Sequence, residues 1–536
     1  MCGTGALFVR FIDGERTKTR RRRVARTIGL AVGRPWPPFL LTILTLMPSP
    51  ALADAAQIRE TILEIPTYVL GAEDKNPPLW NEKVYPYAMQ TEITRQTEVR
   101  PYRAVVLENA FLQVIVLPDL GGKIYAAHDK TNGNCDFIYR NHVIKPGLVA
   151  LRGAWTSGGI EWNFPTRGHS VNTFSPVNYT TRRNPDGSVT CVVGATEWVR
   201  RMQWSVAITL PADRCYFHNR MLLFNPTLGH QRAYFWANAA VHAWPDTRVT
   251  FPPAECTFAG MRRTPEPWPW NQGRDVSWYA STPFPHDFFC GTPGDFQGAY
   301  HAQRDHGTVH CAAWQESYGR KFWTWGTAPS GQIWEGILTD RDGPYIEVQS
   351  GRLQTQGDTW LFEPHMQESF EEYWYPVKQL GTLVKATRDV ALGITCRGNR
   401  LRVAVNATGD FPGASVEVTA GGRRMAFEPV ELRVAGVWAQ DLQGVKPDAA
   451  VQRVVIRDRQ GRELLVYETP GKKPLAPELE PEFTAAADLA SAEDLYFRGY
   501  YAWKHWNQRE AAGLFEKALE RDADFTPALR ALAMRS

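Results

Sequence analysis

A chain of 536 residues with 43% apolar and 22% charged residues has the length for several domains and the balance of an ordinary folded protein. That excludes a largely disordered chain, a collagen and a multi-span membrane protein. The formal charge of +4 is unevenly placed, because the first 53 residues carry nine Lys and Arg against Asp13 and Glu15. The remainder is slightly acidic, so the basic pI gives no reason to expect a nucleic-acid partner.

Residues 1–53 have the layout of an export signal. Arg20 to Arg23 and Arg26 form a positive region, Phe39 to Met47 a short apolar core, and Ala51-Leu52-Ala53 a cleavage site ahead of Asp54. The apolar run is far shorter than the roughly 20 residues of a membrane span, and no other segment could span a bilayer. The expected location is therefore exported, periplasmic or secreted. Seven cysteines would remain after cleavage: Cys135, Cys191, Cys215, Cys256, Cys290, Cys311 and Cys396. Their odd number and the lack of a Cys-x-x-Cys pair fit buried small hydrophobes better than a disulfide framework, a zinc ribbon or a redox motif. No metal and no cofactor is expected.

Residues 54–387 read as one large antiparallel β-domain. Alternating runs such as VVLENAFLQVIVL, SVTCVVGATEWV, WSVAITLP, YFWANAAVHAW, KFWTWGT, IWEGILT and YIEVQSG recur without intervening helical periods. Thr131-Asn132-Gly133 marks a hairpin, since Asn-Gly accepts positive φ at both central turn positions. A domain of this length implies two wide sheets with Trp-rich loops on an open face. Residues 388–470 hold at least five more alternating strands, the pattern of a small immunoglobulin-like β-sandwich. Residues 471–490 are rich in Pro and charge and read as a stiff linker.

Residues 491–536 change to a helical period. Gly499, Ala511, Phe515 and Ala518 sit at tetratricopeptide-repeat spacings, and Pro527 opens a further helix. A single repeat buries too little apolar surface to stand alone. The segment either packs on the β-domain or begins a longer array, and it could recruit a protein partner.

Three constellations could carry chemistry. The first is Gly158-Gly159-Ile160-Glu161-Trp162-Asn163-Phe164-Pro165 with His169, where a carboxylate, an imidazole and aromatic rings suit a sugar subsite. In the second, Asn238 and His242 share one face of a strand that leads to Trp244. In the third, Glu347 and Gln349 share one face of YIEVQSG, with Ile346 and Val348 on the other and Arg352 just beyond. A carboxylate on a rigid strand beside an amide is a sensible general base. The acidic run Glu363, His365, Glu368, Glu371 and Glu372 reads as solvated surface.

These segments also resemble known families. ENAFLQVIVLPDLGGKI resembles the opening strands of galactose mutarotase-like domains, and SGGIEWNFPTRGH resembles a segment of the hexose-phosphate epimerase branch. IEVQ is similar to the strand that carries the base of aldose epimerases, and NAAVHAW to their Asn-x-x-x-His segment. The resemblance implies Glu347 as base and His242 as acid. Over roughly residues 60–380 the chain most resembles an uncharacterised bacterial domain family of the same superfamily, found ahead of tetratricopeptide repeats. It implies a mainly β protein: an antiparallel β-supersandwich of the galactose mutarotase type, then a small β-sandwich, then a short α-helical tetratricopeptide segment.

Three functions follow as expectations for an exported carbohydrate-active protein. Glu347 as base and His242 as acid could interconvert sugar anomers or epimers, with His169 a further candidate catalytic residue beside Glu161. Glu161 and Glu347 could be a glycoside hydrolase pair. Alternatively, the sheet face could only bind glycan. Trp162, Asn163, Asn238, Trp244, Gln349 and Arg352 are the expected substrate contacts in each case.

Overall fold

The computed structural model describes residues 55–252, 256–259, 264–398, 400–443, 451–469, 491–504 and 507–533. The leader, its cleavage site ahead of Asp54, the 471–490 linker and the Cys256 side chain lie outside them. The chain is mainly β and antiparallel, as its alternating pattern requires. Twelve described strands form the larger sheet. At its centre Lys123–Asp129, Ile160–Asn163, Trp236–His242, Tyr345–Gly351 and Gly319–Thr324 lie side by side in that order. Eight strands form the second sheet, including Val189–Glu197, Phe217–Phe224, His306–Cys311 and Gln367–Lys378.

The two sheets meet over one core. Ile160, Trp162, Ala239, Ile346, Val348 and Phe322 of the larger sheet pack with Val206, Phe217, Met221 and Trp374 of the other. Because side chains alternate along a strand, the neighbours of these residues point to the opposite face of the larger sheet. That face carries Lys123, Glu161, Asn238, Glu347, Gln349 and Lys321, and it is covered too: each of these residues is at most 5% exposed. Glu347 is therefore turned away from the core, as the alternation predicts, but it is not at the surface.

Part of the cover is a helix that the sequence reading took for a strand. All of IWEGILT but its last residue lies in α1, Pro329–Leu338, with Thr339 as the C-cap. Proline is favoured in the first helical turn, and Ile333 and Ile337 repeat at i, i+4, a helical spacing that a period of two overlooks. Gly331 lies so close to the Trp325 carbonyl that a Cβ would clash at 2.1 Å. Trp334 stacks on Trp325 at 4.6 Å, and Leu338 packs with Tyr139, Trp155, Ala240 and Tyr345. The predicted hairpin is present: Lys123–Asp129 pairs with Cys135–Ile138 through a turn with Gly133 and Asn134 at positive φ.

Two four-stranded antiparallel sheets follow, sharing a core that includes Val403, Val405, Val416, Val418, Val454 and Ile456. Beyond them α2 (Ala492–Lys504), α3 (Gln508–Arg521) and α4 (Thr526–Ala533) pack together. Gly499 faces the Phe515 ring, where a Cβ would stand 2.7 Å away, so the small residue sets the close approach of α2 and α3. The helices rest on the large sandwich: Arg530 pairs with Glu363 at 2.5 Å, and the Trp503 and His230 rings meet at 4.9 Å. Six described cysteines are free thiols, with Cys191, Cys215, Cys290 and Cys311 buried, so no disulfide joins the described residues.

Candidate active site

The site forms where three strands place polar side chains on the covered face of the larger sheet. Asn238 lies opposite Glu161 on one side and opposite Gln349 on the other, and Ala240 lies opposite Glu347. Lys321 continues the row, opposite Gln349. The Gly158–Gly159 turn brings in Lys123. Both glycines have positive φ, at 84° and 71°, and a Cβ on Gly159 would stand 2.0 Å from the Ile124 carbonyl oxygen. Only glycine allows that approach. Lys123 Nζ then donates to the Thr156 carbonyl at 3.1 Å.

Glu161 is saturated. Its Oε1 accepts from Asn163 Nδ2 at 3.2 Å and Asn238 Nδ2 at 3.1 Å, and lies 2.5 Å from His169 Nδ1. Its Oε2 accepts from Trp155 Nε1 at 2.8 Å and Thr173 Oγ1 at 2.9 Å. Burial alone would raise its pKa. The charges of His169 and Lys123 and the hydrogen bonds from His169 and Asn163 outweigh that and hold it at about 2. Such a carboxylate stays ionised at neutral pH, has no proton to donate and has no free lone pair for attack. That is the wrong environment for the acid or nucleophile of a glycosidase pair.

Glu347 is the opposite case. Gln349 Nε2 donates to its Oε2, and among the described residues it has no other hydrogen-bond donor. Burial raises its pKa above the usual carboxylate value and the Glu161 charge adds to the rise, while His169, Lys321 and Gln349 partly offset it. A relay supports the Gln349 amide: Gln356 Nε2 donates to Gln349 Oε1 at 2.8 Å, and Lys321 Nζ donates to Gln356 Oε1 at 2.6 Å. Lys321 is also paired with Asp287.

His169 sits between the two carboxylates electrostatically. Burial would lower its pKa, but the charge of Glu161, its hydrogen bond and the charge of Glu347 raise it. Its side chain is 23% exposed, and Nε2 makes no hydrogen bond among the described residues. A histidine tied through Nδ1 to a carboxylate has a fixed ring orientation and presents Nε2 outward. Asn238 offers a further contact: Oδ1 is buried without a hydrogen-bond partner, an acceptor that a ligand hydroxyl would complete.

Several expected contacts lie elsewhere. His242 is on the same strand as Asn238 but at its far end, opposite Tyr345 and packed against Tyr139 and Trp244. Burial lowers its pKa to about 4, and the charges acting on it are Asp136, Asp342, His306 and Arg304 rather than Glu347. The Trp244 ring is already in use, stacked on His242 with the Arg304 guanidinium 3.8 Å from its centroid. Trp162 follows Glu161 by one residue, so it points into the inter-sheet core and donates to the Gly122 carbonyl. Arg352 has the opposite parity to Glu347 and pairs with Glu368 at 2.9 Å. Glu372 is not surface: it is 1% exposed and accepts from Asn219, Ser350 and Trp374, with His310 Nε2 at 3.1 Å. Asn163 and Gln349 do join the cluster, through Glu161 and Glu347.

Sequence reasoning missed Lys123, Lys321, Trp155 and Thr173. Lys123 and Lys321 each stand beside large apolar residues of a strand, in KIYAAHD and GRKFWT. A lysine there needs a buried partner, which was the available signal.

Residues 80–377 match the family model described as Domain of unknown function (DUF5107), and residues 385–467 match the YphG-like protein, second domain. A TPR-domain containing protein from Parabacteroides distasonis has a similar structure, with 26% sequence identity and a TM-score of 0.57. The similarity covers 63% of this chain and 58% of that one, so the chain spans less than two thirds of that protein's length. A galactose mutarotase-like protein from Clostridium acetobutylicum matches at 12% identity and a TM-score of 0.37, over 52% of this chain and 96% of that one. Another, from Lactobacillus casei, matches at 9% and 0.37, over 51% and 100%. The first family model extends over more than half of the sequence, and the chain belongs to the family described as Domain of unknown function (DUF5107).

Proposed function

We propose that the protein is a carbohydrate-active enzyme of the mutarotase or epimerase type, with Glu347 as general base and His169 as general acid. Glu347 takes the proton from the anomeric hydroxyl O1. The bond between C1 and the ring oxygen breaks as His169 Nε2 gives its proton to that oxygen. The open-chain aldehyde rotates and closes on its other face, and both protons return. Glu161 takes no proton; it fixes the imidazole and stabilises its charged form, and Asn238 is placed to bind a sugar hydroxyl. The observation that carries this reading is the 2.5 Å contact of His169 Nδ1 with the saturated Glu161, beside a second carboxyl whose pKa is raised. Two carboxyl environments pushed apart in this way mark an acid–base assignment. The likeness of IEVQ to the base-bearing strand of aldose epimerases supports it.

The leader composition supports action outside the cytoplasm, and the α2–α4 segment fits a tetratricopeptide unit that could meet a protein partner. The test is anomer exchange of free aldoses, including glucose, galactose, mannose and xylose, followed by polarimetry or NMR. Catalysis should be seen with at least one sugar and should fall by roughly 10²–10⁴ in Glu347→Gln and in His169→Asn. Sugar binding without exchange in any of them would leave a binding protein instead.

A further inference from the structure

A cleft of about 630 Å³ opens on the flank of the large sandwich, and none of its lining residues belongs to the Glu347 cluster. Tyr87, Asn172, Ser175, Asn178, Tyr179 and Trp198 line it. A second hollow of about 380 Å³ continues it across the second sheet, sharing Asn178, Tyr179, Ala195 and Thr196. The Trp198 side chain is 59% exposed, the costliest kind of surface to leave in water.

That indole is not on a loose turn. Glu197, 0% exposed, accepts from the backbone N–H of Val199 at 2.7 Å and of Arg200 at 2.8 Å. The backbone N–H of Trp198 donates to Tyr87 Oη at 3.0 Å. Tyr179 is anchored too, its hydroxyl donating to Glu60 at 2.9 Å. A ring carried on a fixed backbone has less freedom to lose on binding, which is what makes a preorganised platform effective.

The chemistry of the lining selects the ligand. Apart from the rings it offers amides and hydroxyls, the groups that exchange hydrogen bonds with sugar hydroxyls. Asn172 is 8% exposed, and its Oδ1 has no hydrogen-bond partner. Among the described lining residues the cation is Arg103, which is committed to Asp119 with Nε to Oδ1 at 2.8 Å, and Arg152 behind Ser175 and Tyr87 is paired with Glu73. A neutral ligand therefore fits better than a phosphate or a uronate. An indole face beside amides and hydroxyls, in an open groove longer than one ring, fits a chain of neutral pyranoses.

We propose that this cleft is a second, non-catalytic carbohydrate site, which holds a neutral oligosaccharide by stacking on Trp198 and hydrogen bonding to the Asn172 and Asn178 amides. It borders the first site through a shared loop. Thr173 donates to Glu161 on one side, while its neighbour Asn172 lines the cleft on the other. A glycan seated here would contact the loop that carries His169.

The test is calorimetric titration of the full chain with cellohexaose, maltohexaose, xylohexaose and chitohexaose. Binding of at least one is expected, with little change between 0.05 and 0.5 M salt. Trp198→Ala should weaken it by about tenfold or more with the melting temperature unchanged, and Trp198→Phe should restore most of it. Glu347→Gln should leave it intact, which separates this site from the proposed chemistry. No binding of any of the four overturns the proposal. So does binding that survives Trp198→Ala, and so does binding lost in Glu347→Gln, which would place the sugar at the Glu347 cluster.

Discussion

Asn163 Oδ1 accepts the backbone N–H of Ser170 at 2.8 Å, while the other end of the same amide donates to Glu161. One side chain thus pins the residue after His169 to the strand that orients His169. Asn163→Ala should leave both proposed catalytic groups, Glu347 and His169, present and loosen their spacing. Turnover should fall on the order of 10–10²-fold with KM little changed, because misplacement acts on the reacting geometry. Steady-state kinetics beside a melting curve check this.

Glu347→Gln removes a buried charge whose pKa is raised by its surroundings. Burial therefore disfavours the ionised form, and the neutral amide should melt at the same temperature or slightly higher. Turnover should nevertheless drop by roughly 10²–10⁴. A joint collapse of folding and activity would make Glu347 structural.

Glu161→Gln should behave differently. It turns an amide NH₂ toward donors that need an acceptor, and breaking such a buried network costs about 3–5 kcal/mol. The sign of its pH dependence follows from a folded-state pKa of about 2, below the unfolded value near 4.5. The stability that Glu161 contributes is fully present above about pH 4.5 and is lost as pH falls toward 2. Urea unfolding at pH 7 and pH 3 should therefore show the gap between wild type and variant narrowing in acid.

The rate should follow a bell in pH. The acid limb reports Glu347 losing its proton and lies above the usual carboxylate range. The basic limb reports His169 losing its proton and lies above 6.5, since Glu161 raises that pKa. In Glu161→Gln the basic limb should move to lower pH, because the imidazolium loses its counter-charge. An unmoved basic limb would assign it to another group.

Glu197 titrates in the opposite sense to Glu161. Burial raises its pKa to about 7, against the two backbone N–H groups of its turn. A raised carboxyl pKa gives stability that is complete below about pH 4.5 and is lost as pH rises through 7. Relative to Glu197→Gln, wild type should lose up to about 3 kcal/mol between pH 4.5 and 8. Chemical denaturation across that range measures it.

Alternation made the architecture legible and also explains where the reading stopped. YIEVQSG separates Glu347 and Gln349 from Ile346 and Val348, and the structure places the two pairs on opposite faces. The same rule puts Trp162 opposite Glu161, but grouping residues by closeness in sequence hid it. Apolar and polar residues alternate visibly only where one face meets water. Here both faces of the central strands are covered, so Lys123 looks like an oddity in an apolar run. Glu372 likewise looks like one more surface acid, though it sits on the dry side of its strand. His169 stood in a recognised motif, but its contact with Glu161 depends on the path of a loop, which no periodicity records.

Ser350 and Glu347 belong to one strand but face opposite ways, and the Ser350 hydroxyl donates to Glu372 of the facing sheet at 2.5 Å. The strand that bears Glu347 is thereby bolted to the other half of the sandwich. Asn219 and His310, which complete the bolt, are 0% exposed. Drift in the protein interior would therefore reach the Glu347 carboxyl by tilting a rigid beam, and if the proposed chemistry holds, kinetics would report on residues buried between the sheets.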